Sequence, residues 1–533
     1  MSVVEPLQSK GKHQTHLIRS LRYLCLFIAA FVCIPVLFIQ FSPPGCFLAI
    51  AENNTDMPDD PFAVALDEKM PNWLSEYDVL GAVVSYIQDG EVVWTKAFGV
   101  ADRVKGTPMR TDNVFCTASA SKALTAWGVM KLVEQGKIDL DAPVDQYLKR
   151  WHLPPSQFDS RAVTIRRILS HTAGLTVNGY AGYYHRRHPL PSLKEVLDGQ
   201  NQGNGAVQIG WEPGTGYHYS GGGYTVLQMV IEDVTGESFV DYMKGEILAP
   251  LGFTQGDWTW TNALKANAAT PYGFRGDDVM EYRTFATLGI GNHISSVPDY
   301  ARFIAMLVTG QNGEPPGRGV LKPETIALMT TTQPSSGGYG FGYTTVPLPD
   351  GTKLMSHGGA SDGWVSWFAL APEQRNGFVF CAASDLAQPL RYRVHDLWAT
   401  VALGKDSPVD PDWFLPTTNP GAALIVIPII VAGVLGIIAL LSAWRLLMDI
   451  RAGRRRWQAK PRLLSKVSMG LWAVFVIGWI YFFHTPLPLW LPPSVPDIRW
   501  PSEMIFTTIA LLACIFLSVI KYFFPKQSLM NKP

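Results

Sequence analysis

The chain has 533 residues, with 44 Lys+Arg balanced by 44 Asp+Glu, and this neutrality argues against nucleic acid as a main partner, since phosphate binding needs a basic surface. Its length suits roughly two to four domains. Only 17% of the residues are charged and 47% are hydrophobic, a balance that leads us to expect part of the chain in lipid.

Taken from the N-terminus, residues 23–41 form an apolar stretch, preceded by Lys10, Lys12, Arg19 and Arg22 and followed by Ser42-Pro43-Pro44-Gly45. A basic flank holds the N-terminus in the cytoplasm and sends the downstream chain outward. Residues 1–51 therefore read as a signal anchor or as a signal peptide. The small-x-small pattern Ala49-Ile50-Ala51 and the helix-breaking residues before it slightly favour cleavage. Cys25, Cys33 and Cys514 lie in apolar runs and Cys46 borders one, without a lipobox. Cys116 and Cys381 fall elsewhere, with no metal-ligand spacing, so buried free thiols are expected and neither a disulfide framework nor a metal site.

Residues 52–404 have the composition of an exported globular domain. Leu80–Gly99 predicts a β-hairpin about Asp89-Gly90. Ala118–Gln135 predicts an amphipathic helix ended by Gly136. A long middle section rich in helices and turns comes next. Strands are expected again at Trp364–Leu370 and Gly377–Ser384, then a closing helix near Leu390–Leu403. Strands from both ends around a helical middle predict an α+β fold, with one antiparallel sheet built from distant parts of the chain and flanked by helices.

After a linker, 405–420, residues 421–443 are long and apolar enough for a hydrocarbon core of about 30 Å. A basic loop succeeds them, from Arg445 to Lys466, then apolar segments near 467–483 and 504–520. The 484–503 loop between them is poor in Lys and Arg, and the tail carries Lys521, Lys526 and Lys532. By the positive-inside rule the basic loop and the tail are cytoplasmic, which puts 52–420 outside. Residues 421–533 thus read as a membrane domain of three transmembrane helices. Its spans lack the mid-span charges that transport needs, so it is expected to anchor, with homo-oligomerisation through it possible.

Three short motifs carry chemistry. Ser119-Ala120-Ser121-Lys122 places an amine one helical turn behind a hydroxyl. Near a helix N-terminus, free backbone N–H groups also favour the negative charge that serine attack creates. Ser121, the rival hydroxyl, has no basic residue three positions on. Tyr217-His218-Tyr219-Ser220-Gly221 brings a phenol able to relay a proton. His357-Gly358-Gly359 precedes the last strand pair, where small residues let a substrate backbone approach. Each motif alone is also the composition of a capped helix, a turn or a tight loop.

Together they are more specific. With TIRRILSHTAGL (164–175), WEPGTGYHYSGGGYTVLQMVIEDVTG (211–236), SSVPDYARF (295–303) and SHGGASDGW (356–364), the chain resembles the serine β-lactamase and D,D-peptidase superfamily, its class C β-lactamase-like branch above all, over most of 62–404. That resemblance implies a sheet flanked by helices plus an all-helical subdomain. It implies Ser119 as acylated nucleophile, Lys122 as its proton-managing partner and Tyr219 as base and later acid. It also implies substrate contacts from His357, Gly358 and Gly359, and an oxyanion hole from the amides of Ser119 and Ala360, with no cofactor. His171, in the recurring HTxGL turn, reads as structural. Gly221 stands where the family has Asn, which puts ordinary β-lactam turnover in doubt. His293 is expected to line the pocket, or else to be a packed loop histidine.

A hydrolase domain followed by three spans is similar to the prodrug-activating peptidases of natural-product pathways, colibactin maturation among them. That likeness implies a small peptide or acylated amide as substrate, in the periplasm or extracellular space. A D,D-peptidase or esterase of the cell envelope and a non-catalytic penicillin-binding sensor are the alternatives.

Overall fold

The computed structural model describes residues 60–180, 183–184, 190–200, 205–273, 276, 278–406, 420–455 and 504–523. The expected apolar segments 23–41 and 467–483 lie outside these. The chain divides into two compact units, one holding residues 46–415 and the other the C-terminal helices.

In the first unit the strands are β1 (Gly81–Gln88), β2 (Glu91–Asp102), β3 (Thr107–Pro108), β4 (Val114–Cys116), β5 (Tyr183–Tyr184), β6 (Gly256–Asp257), β7 (Arg283–Thr284), β8 (Ile294–Ser296), β9 (Met355–Ser361), β10 (Trp364–Ala371) and β11 (Asn376–Ala382). β1 and β2 form the expected hairpin. Its turn residues Asp89 and Gly90 have φ of 54° and 73°, as a tight hairpin turn needs at both central positions. β1 then pairs antiparallel with β11 from the far end of the domain, Val84 opposite Phe380. The main sheet runs β3-β2-β1-β11-β10-β9, so distant parts of the chain do complete one sheet.

Side chains alternate across a strand, and the sheet's two faces are covered by different helices. On one face α1 (Pro61–Glu76) and the last helix of this unit (Gln388–Val401) bring Phe62, Leu66, Leu390 and Trp398 onto Val84, Tyr86, Phe378 and Phe380. Asp60 starts α1 by accepting the Ala63 N–H at 2.8 Å. On the other face Val83, Ile87, Val379 and Cys381 meet the helical region. That region contains α2 (Lys122–Glu134) and α3 (Gly221–Thr235). Each large apolar side chain buried this way contributes about 1.5–3 kcal/mol.

One local expectation needs correction. Ala118–Gln135 is not one amphipathic helix. Ala118–Ser121 is a 3₁₀ turn, and α2 after it is buried nearly all round, through Ala123, Leu124, Trp127, Val129, Met130 and Leu132. The last two expected strands are joined by a third ahead of them, and His357-Gly358-Gly359 is not the tight loop that its composition alone also allowed. It lies inside β9, which forms the edge of the main sheet.

The second unit contains α4 (Pro420–Arg451) and α5 (Met504–Phe523). Ala439 and Ala443 meet Ala513, Cys514 and Leu517, while Leu446 and Ile450 meet Ile520 and Phe523. The contacts advance along both helices together, so the two run parallel. Small residues at the seam allow close approach, and the Cys514 thiol donates to the Leu435 carbonyl at 3.1 Å. Among the described residues no helix is long and apolar enough to cross a membrane. Many side chains of α4 and α5 are outside that set, so the three expected spans rest on sequence.

Candidate active site

The turn before α2 is held by the backbone and hydroxyls around it. Thr117 donates its N–H and its hydroxyl to the His293 carbonyl, at 2.8 and 2.9 Å. The Ser366 hydroxyl donates to the Thr117 carbonyl at 2.7 Å. Between these clamps and α2, Ala118 has φ 45°, a left-handed conformation that costs energy for a residue with a Cβ. The Tyr300 hydroxyl donates to the Ala120 carbonyl at 2.7 Å. The chain is thereby forced to present Ser119, half-buried, at the start of the turn. Ser121 is fully buried and engaged. Its hydroxyl donates to the Ala118 carbonyl and accepts the His293 N–H at 3.3 Å, which leaves it no path to a substrate.

Lys122 is buried, and its Nζ donates to Ser119 Oγ at 3.2 Å and to the Ile290 carbonyl. Tyr219, at the entry to α3, lies beside it, with Nζ 4.9 Å from the ring centroid. Burial disfavours the ammonium and pulls Lys122 down to about 7. Burial also pushes Tyr219 up to about 12, against an opposing hydrogen bond with Ser119. The structure thus brings hydroxyl, amine and phenol into one place. Near neutral pH the amine is poised to gain or lose a proton, while the phenol holds its own.

Strand β9 presses on this turn. A Cβ at Gly359 would sit 2.1 Å from the Thr117 carbonyl oxygen and 2.4 Å from Ser366 Oγ, so only glycine fits. Gly358 faces the other way, where a Cβ would lie 2.8 Å from the Arg391 guanidinium and from the Trp367 ring. Ala360, next along, is exposed. His357 is buried, and its Nδ1 donates to the Gly358 carbonyl at 2.7 Å. Nε2 is then an acceptor, filled by the Tyr339 hydroxyl at 2.9 Å. Burial, with Lys122 nearby, lowers the His357 pKa to about 3 and keeps the ring neutral. With both nitrogens occupied, His357 shapes the strand, and the expected direct contact from its imidazole to substrate is not what the geometry offers.

Of the two readings of His293, the packed loop histidine is the one that holds. The His293 side chain does not line the pocket. It is fully buried between Trp258 and Phe253, at ring centroids 4.6 and 5.5 Å, with neither nitrogen hydrogen-bonded. Its backbone is what serves the site, by holding Thr117. The missing Asn at Gly221 also has a physical reason. A Cβ there would meet the Asn178 carbonyl oxygen at 2.5 Å, and that oxygen accepts the Gly221 N–H at 2.9 Å.

Sequence reading did not find Tyr339, Tyr224 or the Ile290 carbonyl. Tyr224 lies with its ring 5.5 Å from Lys122 Nζ and donates its hydroxyl to the Leu169 carbonyl at 2.9 Å. Nothing in the spacing of GGYGFG or GIGNH points at Lys122 or His357. These partners are set by tertiary packing alone.

A half-buried serine, an amine behind it with a lowered pKa and a phenol within reach are the groups that nucleophilic serine chemistry needs, and they mark the class as serine hydrolase. The sequence model of the Beta-lactamase family matches residues 62–402, and the chain belongs to that family. It is 30% identical over 335 residues to Penicillin-binding protein 4* of Bacillus subtilis (strain 168), covering 58% of this chain and 70% of the relative. It is 32% identical over 219 residues to Esterase EstB of Burkholderia gladioli, covering 39% of this chain and only 54% of the esterase. Among solved structures, the octameric penicillin-binding protein homologue from Pyrococcus abyssi aligns with a TM-score of 0.55 at 26% identity, over 68% of this chain and 81% of that one.

Proposed function

We propose that the protein is a membrane-anchored serine amidohydrolase facing the outside of the cytoplasmic membrane, which removes an N-acyl-D-amino-acid cap from an exported peptide or prodrug. The observation that carries the chemistry is the 3.2 Å approach of Lys122 Nζ to Ser119 Oγ beside the Tyr219 phenol. Ser119 Oγ attacks the amide carbonyl and its proton passes to the neutral Lys122 amine. The oxyanion is held by the amides of Ser119 and Ala360. The C–N bond then breaks, and Tyr219 hands its proton to the leaving amine, recovering one from the Lys122 ammonium. Water cleaves the ester by the same route in reverse. Because Tyr219 rests protonated, the resting base in this scheme is Lys122 and not the tyrosine.

An extended substrate suits the site because β9 is an edge strand with Ala360 exposed, open to β-augmentation. The anchor reading is supported by the apolar run 421–443 and by the parallel packing of α4 and α5. The relatives' names favour a second reading, an esterase or D,D-peptidase of the envelope. Full-length protein in detergent, offered N-acyl-D- and L-aminoacyl amides and the matching esters, separates the readings. Turnover of D-configured amides is expected. Turnover of esters alone, or of acyl-D-Ala-D-Ala alone, would replace the proposal with the second reading, and no turnover at all would favour the non-catalytic sensor.

A further inference from the structure

His171 touches neither Ser119 nor Lys122 by any hydrogen bond among the described residues, yet it holds the chain on both sides of Tyr219. Its carbonyl accepts the His218 N–H at 2.7 Å. Its ring Nδ1 accepts the Ser220 N–H at 3.0 Å. The imidazole also lies against the Tyr219 ring at 4.3 Å between centroids, tilted by 36°. The rings of Tyr339, Tyr224 and Tyr217 surround it at 4.9, 5.1 and 5.7 Å. One residue therefore fixes the backbone before the phenol, the backbone after it and one face of the ring.

We infer that His171 is the positioning residue of Tyr219, setting where the phenol stands relative to Ser119 and the leaving group. The inference rests on the reading of Tyr219 as a member of the catalytic set. Two features of His171 go beyond what a packing residue needs. It is 2% exposed with φ 58°, a left-handed backbone conformation uncommon for side-chain-bearing residues and enriched at Asn, Asp and His. Its Nε2 is buried with no hydrogen-bond partner, although buried polar atoms are normally paired. Both are kept where a smaller apolar residue would fill the space without an unpaired nitrogen. What that residue would lack is the acceptor for the Ser220 N–H. The acceptor exists only while Nδ1 is unprotonated, and burial, with the neighbouring Lys122 and His357, holds the ring neutral.

The test uses full-length protein in detergent, with steady-state amide turnover as the readout that needs a proton on the leaving amine, and Ser119 phosphonylation by a fluorophosphonate probe, which expels fluoride and needs none, as the check that Ser119 and Lys122 stay in place. A displacement of about 1 Å in a reacting group costs about 100-fold, so His171→Ala is expected to slow amide turnover by one to two orders of magnitude with KM little changed, and phosphonylation far less. His171→Asn tolerates the same φ and places Oδ1 where Nδ1 sits, and it should recover most of the loss. His171→Gln moves the acceptor a bond further and should not. In a Tyr219→Phe background the His171→Ala change should add less than about twofold, because there is no longer a phenol to aim. That last result separates positioning from a general structural role. Near-normal rates for His171→Ala beside a crippled Tyr219→Phe would overturn the proposal while leaving the site intact. So would equal rates for Asn and Gln, or full additivity in the Phe background. If Tyr219→Phe is itself near normal, the reading beneath the proposal falls and takes the proposal with it. Should His171→Ala fail to fold, the comparison of Asn with Gln decides.

Discussion

Lys122 is an amine with no carboxylate among its hydrogen-bond partners, buried behind a serine and resting on two tyrosine rings. Water removal is what lowers its pKa to about 7, and this gives the chemistry its pH dependence. Below that value the amine is protonated and cannot take the Ser119 proton; above it, the base form dominates. Ser119 acylation should therefore rise about tenfold per pH unit up to a limb near 7 and then level off. Lys122→Met should remove the limb along with most of the rate. A flat profile from pH 5 to 9 in the parent enzyme would place the base elsewhere. The Ser119–Lys122 pair was legible in the sequence because a three-residue spacing has one meaning on a helical turn. The choice of Ser119 over Ser121 came from the same spacing. Tyr339 and His293 were not legible. Their surroundings are assembled by segments far apart in the chain, and a histidine in a Gly-rich loop has no local mark distinguishing pocket from core.

At the scale of elements, the site is a contact between an edge strand and a strained turn. Gly359→Ala would drive a Cβ into the Thr117 carbonyl and Ser366 Oγ. It should cost about 1–3 kcal/mol of stability and lower turnover more than binding, because β9 must lift away from Ser119. Denaturant unfolding and steady-state kinetics on the variant check both effects. Gly221→Asn restores the family's usual residue in name only. The Asn178 carbonyl occupies that space, so the variant should lose stability without gaining β-lactam hydrolysis, and a gain measured with a chromogenic cephalosporin would contradict the geometry. The hairpin and the distant strand pairing were readable from alternation and from Asp89-Gly90. The 3₁₀ entry to α2 was not, because it depends on the clamps on Thr117 and Tyr300's hold on Ala120, which no helix propensity records. The placement of the HGG motif inside β9 was missed for a related reason. Two glycines read as a loop until a neighbouring turn requires them.

Across the catalytic domain, burial keeps His171, His293, His357 and His395 neutral, each with a lowered pKa. His293 goes from 6.5 to about 3. Within that window the unfolded chain binds a proton that the folded one does not, so stability falls as pH drops below about 6.5, by about 1.4 kcal/mol per pH unit for each such group. His293→Leu, which also removes two unpartnered nitrogens, should flatten this acid slope. An unchanged slope in urea melts from pH 7 to 4.5 would show that the other groups carry it. The apolar character of α4 and α5 was legible in the sequence, but their pairing was not, since both faces of α4 are apolar and its small residues do not single out Ala439 and Ala443 as the seam.

The central claim is that Ser119 is the nucleophile, activated by Lys122. Intact mass and peptide mapping of full-length protein after fluorophosphonate treatment test it most directly. One adduct is expected, on Ser119, absent in Ser119→Ala and strongly slowed in Lys122→Met. An adduct on another residue, or undiminished labelling of Ser119→Ala, would contradict it.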